Sequence, residues 1–459
     1  MQKHAALFVA LAVVPFAASG CGGSTNQANQ QESNDGGPEE GGAVHDGGQT
    51  KDGGTKEAGP PACAPMNGTL SPGYPAMHSP MPQVTYQGGG VLQNPEVVTI
   101  TFPGDALAQQ LEAFGDDVMQ TCWWDTVRAG YCESGGMNCV GRGGTAKKSH
   151  VELTTAAAAS YTDSSMGGAS TLQQFIQQQV SSGTFPAPDA NTIYTLYFPA
   201  STSITLDGIQ SCQNGGFGGY HDSTTVTPPG GSNTVVTYAV IPRCSTAIAD
   251  TTFAASHELT EASTDPHVGQ NNIGYYTPLM NTDDLAWRLL LGGGEVGDLC
   301  VDFTGSNLDH TTATLGSNSW TVQRIWSNAN AASGLDPCVP VPAGDVYFNL
   351  APAAGNGLLQ MTVGQTKTFT ATAFSSGPLN PWMIGAIDYA QLMNQTAIVQ
   401  TSLSASSAKN GDAITVTVTL ASQPPNLPGT NFPAEPYFLV SETGKNGPLH
   451  IWPLLVTTQ

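Results

Sequence analysis

Residues 254–266, "AASHELTEASTDP", place a histidine and several carboxylates at spacings that suit one helix. His257 and Glu258 match the start of the pattern H-E-x-x-H, in which two histidines four residues apart hold a metal ion and the glutamate acts on water. The second histidine of that pattern is replaced here by Glu261. The stretch therefore allows three interpretations: a working metal site, a decayed one, or an acidic helix end without chemistry.

Helical geometry brings the candidate side chains together. A helix turns about 100° per residue, so His257, Glu258 and Glu261 fall within about a quarter of the circumference. Asp265 joins them if the helix extends that far, and a face of small residues, Ala255, Leu259 and Ala262, is left to pack on a sheet. Burying such carboxylates without partners would cost roughly several kcal/mol per charge, a cost that a divalent cation would remove. The alternative is a solvated acidic helix end, since the chain has 35 acidic and only 13 basic residues.

Two other segments supply further candidate residues for the metal site. "GGGEVGDLC" (292–300) presents Glu295 as a third metal ligand and Asp298 as an outer partner that orients a histidine ligand. "GGFGGYHD" (215–222) presents His221 after a Gly-rich turn, where it could act as a general acid or stabilise an oxyanion. The alternative for 292–300 is a loop that uses Gly and Asp for its turns. The alternative for 215–222 is a turn with an exposed histidine.

"HELTEASTD" (257–265) resembles the active-site stretch of the thermolysin-like zinc peptidases, which have H-E-L-T-H followed by a small residue and T-D. The resemblance implies that His257 is a zinc ligand and Glu258 the catalytic base, with Glu261 in the place of the second histidine. Glu295 would match the downstream glutamate ligand of that family. It departs from the family in lying farther from His257 and in a different local motif.

A longer stretch, residues 90–338, is similar to secreted proteins of the plant phosphate-induced (EXORDIUM-like) type and to exported bacterial relatives. That resemblance implies an extracellular location and says little about chemistry. The segments that carry it occur in the order "PEVVTITFPGD", "CWWDTV", "CQNGGFGGYHD", "SHELTEASTDP", "GGEVGDLC" and "TVQRIWSN".

The start of the chain is typical of export. Lys3 and His4 precede an apolar run that ends in "ASGC". This ending resembles the lipobox of bacterial lipoproteins. It therefore predicts a signal peptide over 1–21 and lipidation of Cys21. The alternative is ordinary cleavage near Ala18. Residues 22–60 are rich in Gly and Asp and nearly free of large apolar side chains, so they predict a disordered tether.

The cysteines point to the same compartment. The chain has 9, and if Cys21 carries lipid, eight remain. An even number in an exported chain predicts disulfide bonds, although spacing alone leaves their pairing open. All eight lie between residues 63 and 338, which predicts a domain boundary near 341.

The order of predicted elements defines the fold class. Strands are expected at 96–104, 191–199 and 233–242, and helices at 105–131, 171–183 and 245–266. This order predicts an α+β, zincin-like domain over 61–341, with a mixed sheet packed on the motif helix. The alternation of Thr and Val over 342–459 predicts an all-β, immunoglobulin-like sandwich.

We interpret the sequence as an exported, lipid-anchored metallopeptidase that hydrolyses peptide bonds through metal-activated water. Zinc is the expected metal, with manganese or calcium as alternatives because the ligands are rich in oxygen. A net charge of −22 argues against nucleic acid as a partner and leaves a peptide or protein substrate. The rival interpretation is a non-catalytic cell-surface binding or adhesion protein with a structural or vestigial metal site.

Overall fold

A computed structural model describes Cys63 and residues 66–165, 168–213, 216–268, 272–277, 281–290, 294–301, 308–427, 431–444 and 447–458. These residues belong to one compact unit. The predicted signal peptide, the lipidation site at Cys21 and the tether over 22–60 lie outside the described residues. No helix in the part of the chain that the structure describes combines the length and the apolar character needed to cross a membrane.

The first part of the fold, up to residue 339, mixes helices with short and long strands. Its strands are β1 (Thr85–Tyr86), β2 (Glu96–Thr101), β3 (Cys132–Glu133), β4 (Met137–Cys139), β5 (Gly144–Glu152), β6 (Ser160–Asp163), β7 (Thr192–Phe198), β8 (Ser203–Leu206), β9 (Ile209–Gln210), β10 (Tyr220–Val226), β11 (Thr234–Pro242), β12 (Tyr275–Tyr276), β13 (His310–Leu315), β14 (Asn318–Gln323), β15 (Ile325–Trp326) and β16 (Cys338–Val339). Its helices are α1 (Ala108–Asp117), α2 (Cys122–Val127), α3 (Thr171–Ser181), α4 (Ile248–Thr264), α5 (Thr282–Leu290), α6 (Asp298–Val301) and α7 (Asn328–Ser333), with 3₁₀ turns at Val118–Gln120 and Ser134–Gly136.

The central sheet has five strands in the order β10-β11-β7-β2-β5. The last four run parallel, and β10 pairs antiparallel with β11 at one edge. Successive side chains of a strand face opposite sides of a sheet, so helices can cover both faces. Ile193 of β7 packs in the same core as Leu259 of α4, whereas the next residue, Tyr194, packs in the core that contains Ile176 of α3. A sheet buried on both faces explains the continuous apolar runs that predicted these strands.

The predicted helix over 105–131 was wrong as a single element. It is divided into α1, a 3₁₀ turn and α2, and of its regularly spaced apolar residues Leu111, Phe114 and Val118 are fully buried. The division falls at Thr121, whose backbone is extended (φ −81°, ψ 159°) and whose side chain accepts a hydrogen bond from Trp124 N. Thr121 therefore starts a new helix and redirects the chain. The other predicted helices and strands are confirmed, with ends shifted by up to a few residues.

Four disulfide bonds confirm the expectation from the even cysteine count. They join Cys63 to Cys122, Cys132 to Cys139, Cys212 to Cys244, and Cys300 to Cys338. Each of these eight cysteines is bridged to its neighbour among them in the order of the chain.

Residues after 342 form the predicted β-sandwich. One sheet has the order β17-β19-β23-β21 and the other β18-β25-β24-β20-β22. These elements are β17 (Phe348–Pro352), β18 (Leu358–Gln360), β19 (Thr366–Ser375), β20 (Trp382–Asp388), a short helix α8 (Tyr389–Leu392), β21 (Val399–Leu403), β22 (Ser407–Ala408), β23 (Ala413–Leu420), β24 (Ala434–Glu442) and β25 (Leu449–Thr457).

The sandwich shares a hydrophobic core with the first part of the fold. Trp287 of α5 packs edge-on against Trp326 and against Trp452 of β25, with ring centroids 5.7 and 5.2 Å apart. One cluster of contacting, buried apolar side chains has members in both parts of the fold, from Met81 to Val456. The strands after 342 form sheets separate from those of the first part of the fold. The placement of a domain boundary at 341 stays a prediction.

Candidate metal centre

Helix α4 carries the H-E-x-x-E residues and is anchored by its small-residue face. Ala255, Leu259 and Ala262 are fully buried, as the helical spacing predicted. The acidic residues beside them are buried too: Glu258 is 4% exposed and Glu261 is 2% exposed. The interpretation of this stretch as a solvated acidic helix end is therefore wrong.

His257 is oriented by a glutamine that the sequence did not single out. Its Nδ1 lies 2.7 Å from Oε1 of Gln323, which ends β14. The Gln323 amide is itself fixed, because its Nε2 donates to the carbonyl oxygen of Gly297 at 2.6 Å. Oε1 is then the acceptor, so Nδ1 of His257 carries a proton and Nε2 is the nitrogen left for a ligand. That Nε2 lies 2.9 Å from Oε2 of Glu261.

Glu261 is held by the loop that contains the second predicted segment. Its Oε1 accepts hydrogen bonds from the backbone N–H groups of Gly297 at 2.9 Å and Asp298 at 3.1 Å. This leaves Oε2 directed at His257. Gly297 has to be glycine for this close approach, since a Cβ there would lie 2.7 Å from Nδ1 of His257 and 2.8 Å from Oε1 of Glu261.

His221 lies on the antiparallel edge strand β10 and is 7% exposed. The alternative interpretation, a turn with an exposed histidine, is therefore wrong, whereas the catalytic role stays a prediction. Strand β10 pairs His221 with Ala239 of β11 and aims the ring at α4. Its Nδ1 lies 3.5 Å from Oε2 of Glu258 and 3.8 Å from Oε2 of Glu261.

The other nitrogen of His221 is tied to the end of α4. Nε2 lies 3.0 Å from the carbonyl oxygen of Asp265, an acceptor, so Nε2 carries a proton. The nitrogen left for a ligand is Nδ1. Nε2 also lies 3.6 Å from Oε1 of Glu295, which brings the second predicted segment to the same place.

The buried side chains form two groups that could hold a metal ion, each with ligand atoms within 4.8 Å of one another. One contains His221, Glu261 and Glu295, and the other contains His257, Glu258 and Glu261. The predicted ligands His257, Glu261 and Glu295 thus meet at one centre but fall in two groups that share Glu261. Asp298, the predicted outer partner, has its Oδ1 3.7 Å from Nε2 of His257.

The carboxylates of the cluster respond to burial in different ways. Burial and the charge of Glu261 raise the pKa of Glu295 well above its usual range, and raise that of Asp298 to about 8. Burial also raises the pKa of Glu258. Glu261 is the exception, because the attraction and hydrogen bond of His257 outweigh its burial and lower its pKa. Glu261 is therefore the carboxylate that stays ionised most readily.

The two histidines are held in their charged form by the same carboxylates. Burial alone would lower the pKa of His221, but Glu258 and Glu261 raise it to about 9. Burial opposes the charge on His257 as well, and Glu261 and Glu258 raise its pKa well above the usual range. Protons on the imidazoles thus balance part of the negative charge. Metal ligands must give up such protons, so a cation can take their place.

Two carboxylate oxygens of the cluster have no hydrogen-bond donor among the described residues. They are Oε2 of Glu258 and Oε1 of Glu295, both buried. A buried carboxylate oxygen that accepts no hydrogen bond is costly, and metal coordination is one of the few ways to satisfy it. The donor set of imidazole nitrogens and carboxylate oxygens fits a divalent cation such as zinc or manganese.

Adjacent glycines offer a test of how tightly Glu258 is enclosed. A Cβ at Gly219 would lie 2.7 Å from Oε1 and 3.0 Å from Cγ of Glu258, whereas a Cβ at Gly218 meets nothing within 4 Å. We expect Gly219→Ala to cost about 1–3 kcal/mol of unfolding free energy by overpacking. Gly218→Ala should change it by less than about 0.5 kcal/mol. Urea denaturation of the two variants compares them, and equal stabilities would contradict the close packing around Glu258.

No protein-family model matches this chain, and no curated protein matches its sequence.

Proposed function

We propose that the protein is a divalent-metal-dependent hydrolase and that its substrates contain peptide bonds. The proposal rests on one observation, the convergence of His257, His221 and their carboxylate partners on the buried side chain of Glu261. A buried excess of carboxylates, with two oxygens that accept no hydrogen bond among the described residues, is costly unless a cation is bound. The residues on α4 would hold the ion, and Glu258 would serve as the base.

A divalent cation at this centre would polarise a scissile carbonyl and lower the pKa of a bound water molecule. Glu258 is suited to receive the proton, because its Oε2 accepts no hydrogen bond among the described residues and its pKa is raised by burial. Gln323 accepts the Nδ1 proton of His257 and leaves Nε2, turned toward Glu261, as the nitrogen that would bind the ion after giving up its proton. His221 fits the role of a ligand better than that of an oxyanion donor, since Asp265 occupies its Nε2–H.

Peptide bonds are proposed as the substrate because the α4 motif resembles that of thermolysin-like peptidases. From that resemblance we also propose a zincin-like arrangement of the first part of the fold. From the alternation of Thr and Val after 342 we propose an immunoglobulin-like topology of the sandwich. The mixed sheet packed on α4 and the two β-sheets after 342 are compatible with both assignments.

A non-catalytic surface protein is the second candidate. The observation in its favour is the enclosure of the cluster: His257 has the most exposed side chain of the six candidate residues, at 13%. A metal ion held there would contribute to folding whether or not it catalyses a reaction.

Glu258→Gln separates the two candidates. For a hydrolase, we expect the variant to keep its metal and to lose activity by a factor of about 10²–10⁴, because the base is gone and the side-chain shape is kept. Activity is measured as cleavage of an unstructured protein such as casein, with metal content measured in parallel. Metal-loaded natural protein that cleaves no peptide bond would leave the binding protein as the better account.

We further propose that the protein is exported and attached to a bacterial membrane through lipid on Cys21. The four disulfide bonds support an oxidising compartment. We expect Cys21→Ser to move the protein from the membrane fraction to the soluble fraction of cells that express it. If the variant fractionates like the natural protein, the lipid anchor is wrong.

A further inference from the structure

We propose that the centre binds two divalent cations and that Glu261 bridges them. One cation would lie in the group of His257, Glu258 and Glu261, and the second in the group of His221, Glu261 and Glu295. This inference rests on the metal centre proposed above and assigns it a second ion, with His221 and Glu295 as ligands of that ion.

The distances around Glu261 favour a bridge. Its Oε2 lies 2.9 Å from Nε2 of His257 and 3.8 Å from Nδ1 of His221, so the same oxygen faces both imidazoles. Its Oε1 is already engaged by the N–H groups of Gly297 and Asp298. Metal bonds of about 2.0–2.2 Å allow two ligand atoms of one ion to lie up to roughly 4 Å apart. Each histidine therefore fits an ion shared with Glu261, and no group among the described residues contains both histidines.

Charge provides a separate argument. Five buried carboxylates surround the centre, namely Glu258, Glu261, Asp265, Glu295 and Asp298. Within the described part of the chain, the ion pairs of Glu258, Glu261, Glu295 and Asp298 all go to the two histidines. With neutral imidazoles as ligands and all five carboxylates ionised, one divalent cation would leave three negative charges uncompensated, and two cations would leave one. Uncompensated buried charge is strongly unfavourable, so the second ion is favoured.

The two carboxylates that each have an oxygen without a hydrogen bond fall one in each group, Glu258 in the first and Glu295 in the second. The oxygens are Oε2 of Glu258 and Oε1 of Glu295, and neither accepts a hydrogen bond among the described residues. The side chain of Glu258 is 5% exposed and that of Glu295 is 10% exposed, so solvent does not replace the missing donor. Each group thus has an imidazole, a share in Glu261 and one unsatisfied carboxylate.

The two proposed ion positions differ in the role of the carboxylate that accompanies Glu261, which is Glu258 in the first group and Glu295 in the second. In the first group, Oε1 of Glu258 lies 3.9 Å from Nε2 of His257, farther than the 2.9 Å of Oε2 of Glu261. Glu258 therefore has room to act on water, in keeping with its proposed role as the base. In the second group, Glu295 has no such role and serves as a direct ligand. Paired ions about 3.5–4 Å apart can stabilise both the attacking and the leaving oxygen of a hydrolysed bond.

Metal stoichiometry and electron paramagnetic resonance test this inference on the full-length protein. Manganese is used as the probe, because two Mn²⁺ ions bridged by a carboxylate give an exchange-coupled spectrum that differs from that of isolated ions. We expect two Mn²⁺ per chain and a coupled spectrum in the natural protein. Glu295→Gln, which keeps the shape of the side chain, should bind one Mn²⁺ and give the spectrum of an isolated ion.

Glu112→Gln is the matched control. Glu112 also lies beside a histidine, with Oε2 3.7 Å from Nδ1 of His150, but its side chain is 26% exposed and far less enclosed. The control should keep two coupled ions, and circular dichroism should show that both variants are folded. One uncoupled ion in the natural protein would overturn the bridged pair and leave the proposed hydrolase intact. Two ions retained by Glu295→Gln would equally overturn the assignment of Glu295, and the absence of any bound ion would remove both proposals.

Discussion

Glu261→Ala is expected to release the bound metal, with a loss of affinity of more than about 100-fold, the upper end for residues that only support a ligand. Glu261 is the one residue present in both candidate groups. Its carboxylate is the one that stays ionised most readily, because His257 lowers its pKa. Alanine removes the shared ligand and leaves the backbone N–H groups of Gly297 and Asp298 without their acceptor. Metal content after dialysis against buffered free zinc measures the effect.

Glu261→His is the informative companion to that variant. It restores the full H-E-x-x-H pattern at the same helical position. We expect this variant to retain a metal ion, with greater preference for zinc over manganese, because imidazole suits zinc better than a carboxylate does. Hydrolysis should be faster than in the natural protein, since fewer negative ligands leave the ion a stronger Lewis acid. Stoichiometric metal in Glu261→Ala would show that Glu261 is not a ligand.

Arg324→Ala is expected to lower the free energy of unfolding by about 3–5 kcal/mol, the usual cost of breaking a buried ion pair from one side. Arg324 is 1% exposed, and its Nη2 lies 2.7 Å from Oδ2 of Asp336. The guanidinium also donates to the carbonyl oxygens of Leu308, Pro340 and Cys338. The substitution would leave a charged Asp336 and three carbonyl groups without their donor. Urea denaturation in metal-free buffer measures the loss.

Arg128→Ala is the matched control for that experiment. Its ion pair with Asp125 has a similar distance, 2.8 Å, but the side chains are 28% and 21% exposed. We expect a loss of less than about 1 kcal/mol, because water screens such pairs. An Arg324→Ala variant no less stable than Arg128→Ala would show that the buried network contributes little. Arg324 also follows Gln323 directly in the chain, so Arg324→Ala should weaken the hydrogen bond by which Gln323 orients His257.

The chemistry of α4 could be predicted because it depends only on local spacing. A period of 3.6 residues places Glu258 and Glu261 beside His257, and the small residues at 255, 259 and 262 mark the buried face. The convergence of Glu295 on the same centre was also predicted, from its carboxylate in a Gly-rich segment. In both cases the residue type and its immediate neighbours contained the information.

The partners that arrive from distant parts of the chain could not be identified in this way. Gln323 ends an ordinary strand, and nothing in its neighbourhood in the sequence indicates that its amide orients His257 across 66 positions. His221 was assigned to a turn because glycines precede it, whereas pairing with β11 makes it part of a strand. Its role follows from which edge of the sheet α4 covers. That placement depends on tertiary packing, which local patterns do not encode.

The pairing of the cysteines has a consequence for how the protein matures. The four segments that the bridges close follow one another along the chain without overlapping. Each bridge joins two successive cysteines of the eight. Among the roughly one hundred pairings that eight cysteines allow, this one needs no reshuffling when a chain is oxidised as it emerges N-terminus first. With Cys21 set aside as the proposed lipidation site, the first cysteine of each pair meets its native partner before the next pair emerges. A simple thiol oxidase would therefore suffice for maturation, without an isomerase to correct mispaired bonds.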